Sequence, residues 1–317
     1  MTKHLTLPIH GKTLAVLGAV LSLLLGASSS PAKTELNIPT EYGELIYRCN
    51  GKSSSQIFII GLNHRDSLTR LNGANTPRVQ AEVYKIGDWL IHQQGCELLL
   101  PEGFFKTRTA GVEKAKGPAK PVMDDMKSLE ERLADNRVFV NAEMLLKEHH
   151  PLRIQQVEDK TRYDAVGAGI QKMVNGADRS SDYLVLKSEL DYLQERRTAA
   201  MLQKIPEIVD LEVKQGSIKN RKAIFTIGLS HLHKIISYLS RSRIAVYSPL
   251  LTSDKSRDYV AELDLFKANF GVSVIIPRTL ANDQKVLELN KLDKWMPRDP
   301  GQFSSYVASS LPEKNTP

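Results

Sequence analysis

Apolar residues fall in two rhythms along this chain. Short unbroken runs closed by glycine or an acidic residue predict buried strands, and runs that recur every three or four positions predict helices. The sharpest instance is a repeated pair, QIFIIGLNH from Gln56 to His64 and AIFTIGLSH from Ala223 to His231. Each copy is a β-branched and aromatic run ending in glycine, the pattern of a strand buried on both faces that runs into a loop. The copies stand too far apart for a solenoid repeat, so they predict two equivalent strand ends within one sheet.

Between the copies the pattern alternates. Thr76 and Pro77 read as N-cap and first helical residue. Val79, Val83, Ile86 and Leu90 follow at helical spacing, and Gly95 supplies a stop. The run 97–101 then predicts a strand ending at Glu102. Strand, helix, strand is the unit of a parallel sheet. Residues 104–121 mix Lys, Gly, Thr and Pro without period and predict a mobile loop, a candidate lid, over the carboxyl edge of the sheet.

Helical patterns are expected over 123–133 and 141–148, and a strand over 152–157 that meets Glu158 and Asp159. The long charged stretch 182–214 predicts an amphipathic helix that Pro206 kinks or splits. Beyond the second copy, 232–240 and 259–268 read as helices, and 244–247 and 272–276 as strands. The fold expected is α/β, a mainly parallel central sheet flanked by helices, with a helical insertion between the two Gly-x-x-His strands.

The N-terminus changes the picture of where this fold works. Lys3 and Lys12 precede an apolar run over 14–25 and then small residues, which reads as a secretory signal peptide over 1–32. The run is shorter than the roughly 20 residues needed to span a bilayer. No cysteine stands at a likely cleavage point after it, which argues against a lipoprotein anchor. The expectation is an exported protein, periplasmic or secreted, with one α/β domain over 33–296, helical stretches within it at 104–150 and 182–214, and a disordered tail over 297–317. Cys49 and Cys96 are the only cysteines, and they either pair after export or stay as two buried thiols. The formal charge of +7 is scattered among interleaved acidic residues, so it does not predict nucleic-acid binding.

Candidate chemistry sits at the strand ends. In a parallel α/β sheet reactive residues collect outside the carboxyl ends of the strands, where loops converge on one crevice. Four expected strands end in titratable groups there: His64, Glu102, Glu158 and His231. Imidazoles and carboxylates can hold a zinc-like or manganese-like ion, and the same groups can serve without metal as a general base and its orienting partner. Arg197 borders the apolar face of the long helix and could steady the carboxylates or a developing oxyanion, with Arg196 one step around the helix as the alternative. His92, His149 and His150 stand near expected helix ends, where the helix dipole accounts for them. The same dipole offers an account of Glu158 and Asp159, and either Gly-x-x-His imidazole could simply cap a following loop or helix.

Gly61-Leu62-Asn63-His64, the strand-end Glu102 within Leu99-Leu100-Pro101-Glu102-Gly103, Arg197 on a long helix and Gly228-Leu229-Ser230-His231 together resemble the superfamily that groups erythromycin esterase, TraB/PrgY, Tiki and ChaN. The segment Val157-Glu158-Asp159 with Tyr163 resembles the acidic motif of many members. Arg197-Thr198 with Met201 is similar to the Arg-Asn pair and methionine of the helical motif, with threonine where asparagine is usual. The resemblance covers roughly 57–239. It implies catalytic roles for His64, Glu102, Glu158, Arg197 and His231, with His64, Glu102 and His231 as ligands if a divalent metal (Mn, Co or Zn) is used.

Its branches differ: Tiki-like members are metal-dependent peptidases, erythromycin esterases hydrolyse with a histidine base and no metal, and ChaN-like members are linked to haem or iron. The expectation is a hydrolase acting on an ester or amide of a small-molecule or peptide substrate. Haem, iron or other metal binding is the alternative, as is a catalytically silent interaction protein.

Overall fold

The computed structural model describes residues 36–63, 72–103, 125–135, 140–176, 180–249 and 255–296. The expected leader at 1–32, His64, the expected loop 104–121 and the expected tail 297–317 lie outside the described residues. The chain divides into two compact units, Met1–Asn37 and Ile38–Pro317, and the account below concerns the second.

Eight strands are present among the described residues: β1 (Gly43–Cys49), β2 (Gln56–Leu62), β3 (Leu98–Pro101), β4 (Arg153–Ile154), β5 (Lys222–Gly228), β6 (Arg243–Val246), β7 (Tyr259–Glu262) and β8 (Gly271–Pro277). The longer helices are α1 (Thr76–Gln94), α2 (Met126–Ala134), α3 (Ala142–His149), α4 (Lys160–Gly176), α5 (Ser180–Lys214) and α6 (Leu229–Arg241). Six strands form one sheet in the order β1-β8-β2-β5-β3-β4, and β6 and β7 pair separately. Within the large sheet every pairing is parallel except β1 with β8. The protein is therefore α/β, a mostly parallel six-stranded sheet flanked by helices.

The two echoing runs are direct neighbours. β2 and β5 pair along their full length, from Gln56 opposite Lys222 to Leu62 opposite Gly228. The register is one residue off the sequence echo, so Gly61 faces Ile227 rather than Gly228. β2 and β8 are buried at every position, as a parallel sheet covered on both faces requires. On α1, Val79, Val83, Ile86 and Leu90 are all fully buried, and Gly95 ends the helix in the left-handed region at φ 69°. The N-cap is Asn75, one residue before the expected Thr76.

Elsewhere the structure departs from the pattern. The strand expected over 152–157 reduces to Arg153–Ile154, an edge that pairs only with Leu98 and Leu99. The stretch 259–268, read as helix, is strand β7 followed by a single turn, Asp264–Lys267. Alternate residues of β7 are more exposed, a period of two that four residues cannot separate from a helical rhythm. Pro206 does not split α5, whose buried Met201, Leu202, Ile205 and Val209 hold the helix to the core on both sides of it. Burial of that size outweighs the roughly 3 kcal/mol that proline costs a helix interior. α4, with its Gly167 and Gly169, is not anticipated at all, and it packs along α5. Cys49 and Cys96 are free thiols rather than a disulfide. Burial chiefly pushes the Cys49 thiol up to about 11, so it is protonated at neutral pH.

Candidate active site

Three elements deliver the polar groups to one end of the sheet. β3 ends at Pro101, and Glu102 continues its ladder by donating its backbone N–H to the carbonyl of Thr226 on β5 at 2.9 Å. That fixes Glu102 at the carboxyl edge. β5 ends at Gly228, and α6 starts at once, so His231 stands in the first helical turn instead of in a loop. Gly228 donates its N–H to Glu102 Oε2 at 2.5 Å, which ties the two strand ends together.

α5 brings the cation. Arg197 grips Glu158 with Nε at 3.1 and 3.0 Å and with Nη2 at 2.6 Å, and the same Nη2 donates to Glu102 Oε1 at 2.8 Å. The Glu158 side chain is fully buried, and that of Arg197 is 6 % exposed. Burial works against the guanidinium charge, and the two carboxylates more than offset it, so the pKa of Arg197 lies above its ordinary value. Tyr163 adds its ring 5.3 Å from the guanidinium carbon. Two glutamates thus share one arginine.

His231 completes the group from the other side. Its Nε2 lies 3.3 Å from Glu102 Oε1, and its Nδ1 lies 2.6 Å from Thr198 Oγ1. Thr198 Oγ1 also donates to the carbonyl of Gln194 at 2.8 Å. A hydroxyl has one proton. With that proton on the Gln194 carbonyl, Thr198 accepts from Nδ1–H of His231, and the lone pair of the neutral ring is on Nε2, facing Glu102.

Glu102, Glu158, Arg197 and His231 thus come together within direct contact distances, while His64 lies outside the described residues. Asn63, its neighbour in sequence, is held by Gln80 of α1, which donates to the Asn63 carbonyl at 2.8 Å and accepts from the N–H of Ala142 at 2.9 Å. The paired arginines have different partners: Arg197 reaches the two carboxylates, and Arg196 stacks over Tyr259, 4.2 Å from the ring centre. Asp159 serves as the expected acidic cap, accepting from the N–H of Arg162 at 2.9 Å, whereas Glu158 turns inward.

Two participants are missed by sequence reasoning. Thr198 shows there only as the residue standing in for asparagine, and its hydrogen bond to His231 is a contact between α5 and α6 that no local pattern reports. Glu143 is buried on α3 and accepts from Thr226 Oγ1 inside the second echo strand. The one sequence clue to it is Thr226, a hydroxyl where the first copy carries Ile59.

A divalent ion at this edge would have His231 Nε2 and Glu102 Oε1 as donors. The third expected ligand, His64, lies outside the described residues, and this Glu102 oxygen also accepts from Arg197. The fold and site define a mostly parallel α/β protein with a buried Glu-Arg-Glu cluster beside a histidine at the carboxyl edge. Compared with protein-family models, with curated proteins and with proteins of solved structure, the chain matches none.

Proposed function

We propose that this protein is an exported hydrolase of the erythromycin esterase, TraB and Tiki type that cleaves an ester or amide bond with a metal-free histidine base. The observation that supports it most is the contact of His231 Nε2 with Glu102 Oε1, both side chains 9 % exposed, beside fully buried groups that position them. His231 takes a proton from water, and the water oxygen bonds to the carbonyl carbon. Glu102 stabilises the imidazolium that forms. The proton then passes to the leaving oxygen or nitrogen as its bond to carbon breaks, which yields an acid and an alcohol or amine.

Arg197 acts in this reading as a positioning residue. Its Nε and Nη2 are committed to Glu102 and Glu158, so it holds Glu102 in place instead of meeting substrate. Glu158 has the same role from beneath. The purified chain is expected to hydrolyse members of an ester and peptide panel in the presence of a chelator. His231→Ala should lower the rate by about 10²- to 10⁴-fold, the share a general base supplies. Absence of hydrolysis across the panel, with chelator or with added manganese, cobalt or zinc, overturns the proposal, as does a His231→Ala variant with the full rate.

A further inference from the structure

A second cluster lies away from this edge, where the end of α1 meets the end of α3. Asp88 and His92 stand one helical turn apart on α1, and His150 follows the last residue of α3. One ligand atom from each of the three lies within 4.8 Å of the others. Asp88 Oδ1 is 3.0 Å from His150 Nε2 and 3.4 Å from His92 Nε2. A tetrahedral ion with bonds of about 2.0–2.1 Å separates its ligand atoms by about 3.3 Å. Both distances are close to that edge length.

The state of His150 is the independent sign. Its side chain is 10 % exposed, and its Nε2 is buried without a hydrogen-bond partner. Asp88 is within ion-pair distance of it but makes no hydrogen bond of good geometry to it. A buried polar atom left in that state is costly and calls for an explanation. The three ligand atoms border one small space. His92, 62 % exposed, is on the solvent side of that space and leaves a path for an ion.

We propose that Asp88, His92 and His150 form a binding site for a divalent transition metal of the zinc class, with water in the fourth position. Two imidazoles and one carboxylate suit zinc better than magnesium or calcium, which prefer all-oxygen shells. The ion braces α1 against α3. It touches none of the groups at the sheet edge, so the inference is independent of the hydrolase reading.

The test is zinc binding to the chelator-treated full chain, followed by competition with a chromophoric chelator and by thermal melting. One equivalent is expected to bind and to raise Tm. His92→Ala, an exposed change that leaves the apo protein folded, should weaken binding at least tenfold and abolish the Tm rise, and Asp88→Asn should act the same way. His231→Ala should leave both unchanged. Absence of stoichiometric binding to the wild type, binding that His92→Ala does not weaken, or binding that His231→Ala removes would each overturn the site.

Discussion

Thr198 does more for the site than its side chain suggests. It sits on α5 and hands its proton to its own helix while accepting from the imidazole of a different one. Replacing it with valine keeps the shape and removes the oxygen, so Nδ1–H of His231 is left buried without a partner. Thr198→Val is expected to cost about 1–3 kcal/mol, seen as a lower urea midpoint at unchanged slope. Thr198→Ser should recover most of it. Arg197 illustrates the same logic with charge: a buried guanidinium that bridges two carboxylates is held by geometry, and lysine could not reproduce the fork.

At the scale of elements, the glycine of the first motif is explained by a helix far along the chain. A Cβ on Gly61 would sit within hard contact of Leu232 Cδ1 and 3.1 Å from Leu229 Cδ1, so α6 rests directly on β2. Leu232 is fully buried. Gly61→Ala therefore makes the Leu232 side chain give way, and any part of the shift that its rotamer cannot absorb falls on the first turn of α6, which carries His231. The expected loss is about 1–3 kcal/mol of stability by denaturant titration, with hydrolysis reduced more than the stability loss alone accounts for. Equal activity at an unchanged urea midpoint would show that α6 does not bear on the strand.

For the whole molecule, pH reports on burial. His233 on α6 has its pKa held below the ordinary value, by desolvation first and then by Lys294, Lys291 and Lys234, against Glu195. Its Nδ1 is buried without a hydrogen bond. The unfolded chain then binds a proton at about pH 6.5 more readily than the folded one does. The stability that His233 contributes is complete above that pH and is lost as pH falls toward the lower folded value. Urea midpoints measured from pH 8 to pH 5 should decline below about 6.5, and His233→Gln should reduce the decline. An unchanged pH profile in that variant would mean that the ring is equally easy to protonate in both states.

Strand ends and chemistry are legible in the linear chain because they are local: an apolar run closed by glycine or an acidic residue marks a buried strand, Glu102 closes one such run, and His231 stands three residues past the glycine that closes another. The rules of parallel sheets place such strand ends at one edge, while the direct pairing of β2 with β5 is seen only in the sheet order. Side-chain direction is another matter. Arg196 and Arg197 have the same local sequence environment, and only the packing of α5 between the sheet edge and β7 sends one to the carboxylates and the other to Tyr259. Glu158 and Asp159 part in the same way, one inward and one as a cap. β7 and α4 were misread or missed because short or glycine-bearing segments take their conformation from what they pack on. Local pattern therefore determines which groups reach the edge, while long-range packing decides which of them touch, because a contact depends on two segments at once and a periodicity on one.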